Sequence, residues 1–257
     1  MMRLLKIAIL LFWFGLASDL KAQPAIQVTH LRGNVYLVED RYYPNATENS
    51  AVYIGDRSVT VIGATMTPET AKLLAVEIGK ITSKPITEVV NTNYHPDRAG
   101  GNAYFRSIGA RIVSTRQTRD LMREHWDEVV AFTRSGIPDY PLLPVTLPDT
   151  LYEGSFALQG GRVNALYLGP SHTPDGLFVY FPEEKILYGG CILKEHLGNL
   201  KYADLPEYPK TLRKLQQLQL GYTTVIAGHW SPIHGPEIVD QYLQLLAQQQ
   251  DAPSRAK

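Results

Sequence analysis

The sequence predicts an α/β protein in which two β-sheets pack face to face with helices outside, a four-layer αββα sandwich. The 257-residue chain falls into two similar halves, and in each half short apolar segments typical of strands precede amphipathic helices. A composition of 44% hydrophobic and 19% charged residues is typical of a folded protein. Every sheet and helix must bury an apolar face. Stacking the two sheets, with the helices on the outside, buries the apolar faces of both halves.

The first half starts with four predicted strands, separated by Gly or Asn/Pro turns, at 26–31, 35–39, 50–54 and 59–62. A helix is predicted over Pro68–Ile81, because Thr67 can cap it and Pro68 suits its first position. The apolar pair Val89-Val90 ends a buried strand. A short helix over 99–108, a strand over 111–113 and a long helix over 115–134 complete this half.

The second half repeats that order after a proline-rich connector at 138–148. Its predicted strands lie at 155–158, 162–168, 177–181, 185–188 and 223–227. Its predicted helices lie at 208–218 and 236–248. The two halves should therefore contribute one sheet each.

The N-terminus reads as a secretory signal peptide over residues 1–22, with a basic start and an uncharged apolar stretch from Ile7 to Ser18. Cleavage is expected after Ala22, or alternatively near Ala17-Ser18, which leaves 23–257 as a single domain. The stretch is shorter than the ~20 residues of a membrane-spanning helix, so a signal peptide is favoured over a membrane anchor. We therefore expect a periplasmic protein, and its single cysteine, Cys191, is expected to be either buried and inert or bound to a metal.

Charge excludes some partners. The 25 Lys and Arg residues balance 25 Asp and Glu residues, so the chain has no net field to attract a polyanion. We expect no nucleic-acid partner, no membrane partner after signal cleavage, and a monomer.

Residues with metal and acid–base chemistry lie just after predicted strands. Asn93, His95 and Asp97 alternate, so a short extended segment would point them the same way. Three later turns also follow predicted strands, at 169–176 around His172, at 188–194 around Cys191, and at 226–230 around His229. One carboxylate, one thiolate and one imidazole from such turns form a plausible zinc site with a fourth position open.

Each of these residues also has a plain structural reading. Asp97 could cap a helix that begins at Ala99, Cys191 could be a small core residue, and His172 could be an ordinary loop histidine. The functional reading is favoured because four separate strand ends supply the residue types that one site would need. His30, His125, His196 and His234 fit no such pattern, and Asn45-Ala46-Thr47 is read as a turn rather than a glycan acceptor.

Taken together, these motifs resemble the metallo-β-lactamase family. The matching segments are Asn-Tyr-His-x-Asp-Arg-Ala-Gly-Gly-Asn at 93–102, Gly-Pro-x-His-Thr-Pro-Asp-Gly at 169–176, Gly-x-Cys-Ile-Leu-Lys at 189–194, Gly-Asn-Leu at 198–200 and Gly-His at 228–229. The chain is most similar to the mono-zinc, carbapenem-selective second subclass of class B, which has asparagine at the position of Asn93 where two-zinc members have histidine. The long helix at 115–134 also resembles the helix that covers the active site in that subclass. Pro96 and Trp230 depart from the pattern.

The resemblance implies a role for each site residue. Asp97, Cys191 and His229 would bind one zinc ion, and a second zinc ion near Asn93, His95 and His172 would inhibit. His95 and Asp97 would hold the attacking water, and His172 would contact the substrate. Lys194 would pair with the substrate carboxylate, with Asn199 near the lactam carbonyl and Asn93 beside it. The implied activity is hydrolysis of the β-lactam amide, preferentially of carbapenems, which would confer antibiotic resistance.

Two rival functions stay open. The first is a different hydrolase on the same fold, such as a thioester or lactone hydrolase; those relatives usually place a second histidine directly after the motif aspartate, where this chain has Arg98. The second is a non-catalytic zinc-binding protein, which would need the ligands but neither Lys194 nor His95.

Overall fold

The computed structural model describes residues 25–251, so the predicted signal peptide lies outside the described residues. The strands are β1 (Ile26–Arg32), β2 (Val35–Asp40), β3 (Glu48–Ile54), β4 (Val59–Ile62), β5 (Ile86–Val90), β6 (Arg111–Thr115), β7 (Thr150–Tyr152), β8 (Phe156–Leu158), β9 (Val163–Leu166), β10 (Phe178–Phe181), β11 (Ile186–Gly190), β12 (Thr224–Ala227) and β13 (Ile233–His234). The helices are α1 (Pro68–Ile81), α2 (Pro96–Ala99), α3 (Asn102–Ser107), α4 (Arg116–Gly136), α5 (Tyr208–Gln217) and α6 (Ile238–Asp251).

The strands form two mixed sheets, and β7, which follows the proline-rich connector, still belongs to the first. The first sheet has the order β1-β2-β3-β4-β5-β6-β7, and its strands run parallel from β4 to β7. The second has the order β13-β12-β11-β10-β9-β8, with β11 and β12 as its parallel pair. The carboxyl ends of β5, β11 and β12 are the points from which the candidate ligands emerge.

The sheets bury one apolar layer between them. Tyr53 of the first sheet stacks on Phe181 of the second, with ring centroids 6.0 Å apart, and Val90, Tyr188 and Ile226 belong to the same cluster. A second cluster packs α1 and α3 against the first sheet, and a third packs α5 and α6 against the second. The predicted four-layer α/β sandwich is therefore confirmed.

Helix α4 begins directly at the end of a strand. Thr115 closes β6 and caps the helix, because its side chain accepts a hydrogen bond from the Thr118 backbone N–H. The buried face of α4, with Met122, Trp126 and Val129, packs on Tyr94 in the turn that leads to Asp97. This packing places the C-terminal end of the helix beside the candidate ligands.

Some predicted boundaries were wrong. The single helix expected over 99–108 is two short helices, and α2 already starts at Pro96, so Asp97 lies within its first turn. Strands β7 and β13 were not predicted, since segments of three and two residues show no alternation that a pattern could detect. Helix α6 begins at Ile238 rather than at 236.

Within residues 25–251, no helix combines the length and apolar character required to cross a bilayer.

Candidate metal centre

Three side chains that are far apart in sequence meet at the carboxyl ends of the strands. The Cys191 Sγ atom lies 3.1 Å from Asp97 Oδ2 and 3.6 Å from His229 Nε2, and those two atoms are 3.3 Å apart. All three ligand atoms lie within 4.8 Å of one another. A cation between them would therefore contact a carboxylate, a thiolate and an imidazole at once.

The His229 ring is oriented for such a role. Its Nδ1 atom lies 2.8 Å from the backbone oxygen of Thr47, which accepts the Nδ1–H hydrogen bond. With the proton on Nδ1, the lone pair of Nε2 faces Asp97 and Cys191. A backbone acceptor that fixes the tautomer in this way is the usual support of a metal-binding histidine.

Arg98 supports the same three residues from below and is completely buried. Its guanidinium donates to Cys191 Sγ at 3.1 Å and lies 3.2 Å from Asp97 Oδ2. On its far side it pairs with Glu48 at 2.7 Å and donates to the backbone oxygen of Gly228 at 3.0 Å. The Arg98 guanidinium thus bonds to two candidate ligands and to the backbone beside the third.

The close packing around Arg98 requires glycine at position 228. A Cβ atom there would lie 2.4 Å from the Gly190 backbone oxygen and 2.7 Å from an Arg98 nitrogen. Asn49 also joins the two sheets here, because its backbone N–H donates to the Gly228 oxygen and its side chain donates to the Ala227 oxygen. The centre therefore lies on the seam between the sheets.

Sequence reasoning missed Arg98 and Glu48 as parts of this centre. Burial raises the pKa of Glu48 to about 8, although Arg98 opposes the shift. Asp40, which pairs with Glu48 across β2 and β3, has its pKa raised by burial to about 6. The one available signal was the polar run Glu48-Asn49-Ser50 at the start of a strand that is otherwise apolar.

Of the carboxyl and the thiol among the candidate ligands, the Asp97 carboxyl is the one that is ionised near pH 7. Burial acts to raise the pKa of Asp97, but Arg98 and His229 outweigh it and hold that pKa well below its usual range. Burial raises the pKa of the Cys191 thiol to about 11, with Arg98 acting in the opposite direction. A metal ion bound here would favour the thiolate form, so the donor set fits a borderline soft ion such as zinc better than magnesium or calcium.

His95 and His172 lie beside the three ligands without joining them. Their ring centroids are 5.4 Å apart, and His95 Nε2 is a buried atom with no hydrogen-bond partner among the described residues. Burial lowers the pKa of His95 to about 4, and burial followed by the Lys194 charge lowers the pKa of His172 well below its usual value. Both imidazoles are therefore neutral near pH 7, and His95 has a lone pair available.

Lys194 is 2% exposed and closes this side of the centre. Its Nζ atom donates to the Cys191 backbone oxygen at 3.1 Å and lies 3.3 Å from His172 Nδ1. Burial lowers the pKa of Lys194 to about 8.

The two asparagines singled out from the sequence occupy different places. Asn93 is 2% exposed, and its Oδ1 atom accepts the backbone N–H of His95 at 2.9 Å; it does not line the cavity. Asn199 is exposed and lines the cavity, with its Oδ1 atom accepting the backbone N–H of Lys201. Its side-chain amide N–H groups remain available to a ligand.

A cavity of about 420 Å³ opens above the centre. Its floor includes His95, Asp97, His172, Lys194 and His229. Its walls are formed by the C-terminal part of α4, by the 45–48 turn, and by the loop after Lys194; the wall residues include Val129, Phe132, Ile137, Asn45, Thr47, Gly198, Tyr202 and Trp230. The long helix thus lies over the candidate site.

The sandwich fold and this centre define a metal-dependent hydrolase. Residues 45–229 match the model of the metallo-β-lactamase superfamily, and the chain belongs to that superfamily. A type 2 metallo-β-lactamase from Elizabethkingia meningoseptica is 27% identical over 243 residues, which cover 90% of this chain and 91% of the relative.

Solved structures share the fold. A metallo-β-lactamase from Pontibacter korlensis has a TM-score of 0.74 at 24% identity, with 87% of this chain and 100% of that chain covered. The metallo-β-lactamase FIM-1 from Pseudomonas aeruginosa, in a mono-zinc form, has a TM-score of 0.75 at 19% identity, with 90% and 100% covered.

Proposed function

We propose that the protein is a zinc-dependent β-lactamase that hydrolyses the amide bond of the β-lactam ring, preferentially in carbapenems, and so confers antibiotic resistance. The observation that carries the proposal is the meeting of Asp97, Cys191 and His229 beside a neutral His95 under a single cavity. The similarity to a type 2 metallo-β-lactamase supports the substrate class. The basic and then apolar sequence of residues 1–22 supports export to the periplasm.

Asp97, Cys191 and His229 are the residues that would hold the zinc ion. When bound, zinc supplies a positive charge that stabilises the nitrogen leaving the broken amide. Arg98 keeps the carboxylate and the thiol sulfur in place before the ion arrives, since it bonds to both.

The proposed base is His95. Its imidazole lines the cavity floor and is neutral near pH 7, so the ring can take a proton from a water molecule that attacks the lactam carbonyl. Asp97 is the alternative acceptor of that proton. Its carboxylate is already engaged with Cys191, Arg98 and His229, which favours His95.

Substrate orientation is assigned to residues around the cavity. The Lys194 ammonium would pair with the substrate carboxylate, and the Asn199 amide would donate to the lactam carbonyl oxygen. His172, beside His95, would also contact the substrate. Asn93, whose oxygen accepts the His95 backbone N–H, would act on the substrate indirectly by positioning His95.

Zinc stoichiometry follows from Asn93. An amide oxygen is a weaker zinc ligand than an imidazole, so the group Asn93, His95 and His172 should bind zinc much more loosely than the first centre. We propose one zinc ion per chain and the second subclass of class B. A second ion on His95 and His172 would take the free base and the space for substrate, and would therefore inhibit.

Selectivity follows from the helix over the cavity. Val129, Phe132 and Ile137 of the α4 region narrow the entrance from one side. Compact carbapenems should turn over, whereas bulkier penicillins and cephalosporins should fit poorly.

The decisive experiment follows the loss of ring absorbance when the zinc-loaded protein is incubated with a carbapenem, a penicillin and a cephalosporin. We expect efficient hydrolysis of the carbapenem, weak hydrolysis of the others, and loss of activity after chelation. Comparable efficiencies for all three would reject the subclass. No hydrolysis of any, with zinc bound, would reject β-lactamase function in favour of another hydrolase or a binding protein.

A second measurement separates the two bases. The pH–rate profile of His95→Ala should lose its acidic limb along with most of the activity if His95 takes the proton. Full retention of activity would eliminate His95 as the base.

A further inference from the structure

Trp230 follows the candidate ligand His229 and stands at the mouth of the cavity with 39% of its surface exposed. Its backbone has a φ of +56°, a left-handed conformation that a bulky residue rarely adopts. The Asn49 side chain donates to the Trp230 backbone oxygen at 3.2 Å, which holds the residue in this conformation. Such an outlier beside a functional centre suggests that the direction of the indole matters.

Two histidine rings contact the indole. The His196 ring meets it at 5.2 Å with an interplanar angle of 83°, and the His229 ring lies 5.9 Å away at 64°. Both contacts are edge-on, so among the described residues no ring stacks flat on the indole, which is partly exposed and lines the cavity. An open indole face binds other flat rings by offset stacking.

Gly198 links the position of the indole to that of Lys194. A Cβ atom built on Gly198 would lie 3.1 Å from the indole edge and 3.5 Å from Lys194 Nζ. The indole edge and the Lys194 ammonium therefore both lie close to Gly198. A molecule whose carboxylate binds Lys194 has its neighbouring atoms beside Trp230.

We propose that Trp230 is a specificity-determining residue that stacks on an aromatic substituent of the substrate. The inference rests on the proposed function, because it takes the Lys194 ammonium as the binding site of the β-lactam carboxylate. In carbapenems the carboxylate sits on the carbon next to the ring nitrogen, and the following carbon carries a variable substituent. That substituent lies over Trp230, so β-lactams with an aromatic ring at this position are preferred.

The test uses two carbapenems that differ only in this substituent, one aromatic and one alkyl of similar size. The unmodified protein should have a roughly 2- to 10-fold lower KM for the aromatic substrate. Trp230→Phe should keep most of this ratio because it retains a ring. Trp230→Leu should bring the ratio close to one. Zinc content is measured for each protein, and Ile233→Ala, an exposed apolar residue three positions away, should keep the ratio of the unmodified protein.

A binding measurement gives a readout that does not depend on turnover. The described chain contains two tryptophans, Trp126, which is 3% exposed, and Trp230. The ring-opened aromatic product should quench the fluorescence of the unmodified protein, and Trp230→Phe should lose that quenching. Hydrolysis of both substrates with a ratio that Trp230→Leu leaves unchanged would overturn the inference alone. Failure of the zinc-loaded unmodified protein to hydrolyse either would overturn the proposed function and this inference together.

Discussion

Replacing Arg98 by methionine tests whether the buried guanidinium supports the metal centre. The substitution keeps much of the side-chain volume but removes the charge that bonds to Glu48, Asp97 and Cys191. The exposed fractions of Arg98 and Glu48 are 0% and 1%, so water cannot replace the lost partner. Breaking such a pair by removing one member costs about 3–5 kcal/mol.

The lower end of that range is expected. Burial raises the pKa of Glu48 to about 8 even with Arg98 in place, so the carboxyl is mostly protonated at pH 7 and the substitution leaves no unpaired Glu48 charge behind. A loss of about 3 kcal/mol corresponds to a decrease in Tm of roughly 6–12 °C for a domain of this size.

The assay is thermal unfolding of the chelator-treated proteins, followed by circular dichroism at pH 7. Arg116→Met is the matched control, because Arg116 pairs with Glu153 on the surface and its removal should leave Tm unchanged. A decrease for Arg98→Met no larger than that of the control would refute the view that Arg98 holds the ligands together.

Three further predictions concern the ligands and a second buried carboxyl. Cys191→Ser should lower zinc affinity by orders of magnitude in equilibrium dialysis, since a neutral hydroxyl replaces a soft anionic donor; near-normal retention would contradict the ligand assignment. The unmodified protein should hold one zinc ion by elemental analysis and lose turnover as zinc rises, whereas Asn93→His should hold two and tolerate the excess. Two tightly bound ions in the unmodified protein, with activity rising as the second binds, would refute the mono-zinc proposal. Burial raises the pKa of Asp175 from 3.8 to about 6, so the folded state binds its proton more tightly than the unfolded state and stability decreases as pH rises between those values. Asp175→Asn should therefore raise the free energy of unfolding by about 3 kcal/mol at pH 8 and leave it unchanged at pH 4, and equal gains at both pH values in denaturant titrations would show that burial of the charge is not the cause.

The strands and the candidate ligands were predictable from local pattern. Strands β1 to β5 are apolar runs bounded by turn residues, and Asp97, Cys191 and His229 each follow such a run. Their residue types are ones that bind metals, and their shared position after strands was enough to propose a common site.

The support beneath the ligands was not predictable in the same way. An arginine and a glutamate usually lie on the surface, and apart from the polar run at 48–50 nothing in the sequence marks Arg98 or Glu48 as buried. The predicted strand began at Ser50, which left Glu48 outside it, whereas β3 begins at Glu48. The pair is buried only because the two sheets pack together. That packing brings to Arg98 residues that are about 50 and 130 positions away in the sequence.

The short elements were missed for a related reason. Strand β7 exists because Thr150–Tyr152 pairs with β6, and β13 exists because Ile233–His234 pairs with β12. Pairing with a neighbour, rather than any preference of two or three residues, creates such strands. The proline-rich stretch before β7 indicated a connector but not where it ended.

Because the centre lies on the seam between the two sheets, it couples the stability of one sheet to that of the other. Asn49 and Arg98 of the first half bond to the Ala227 and Gly228 backbone of the second, and the candidate ligands come from both halves. A metal ion held across this seam acts as a clamp, and its binding free energy adds to the resistance of the sandwich to opening. Chelation should then accelerate amide hydrogen exchange in β3 and in β12 together. Loss of a metal ion from three side chains would thus lower the stability of both sheets.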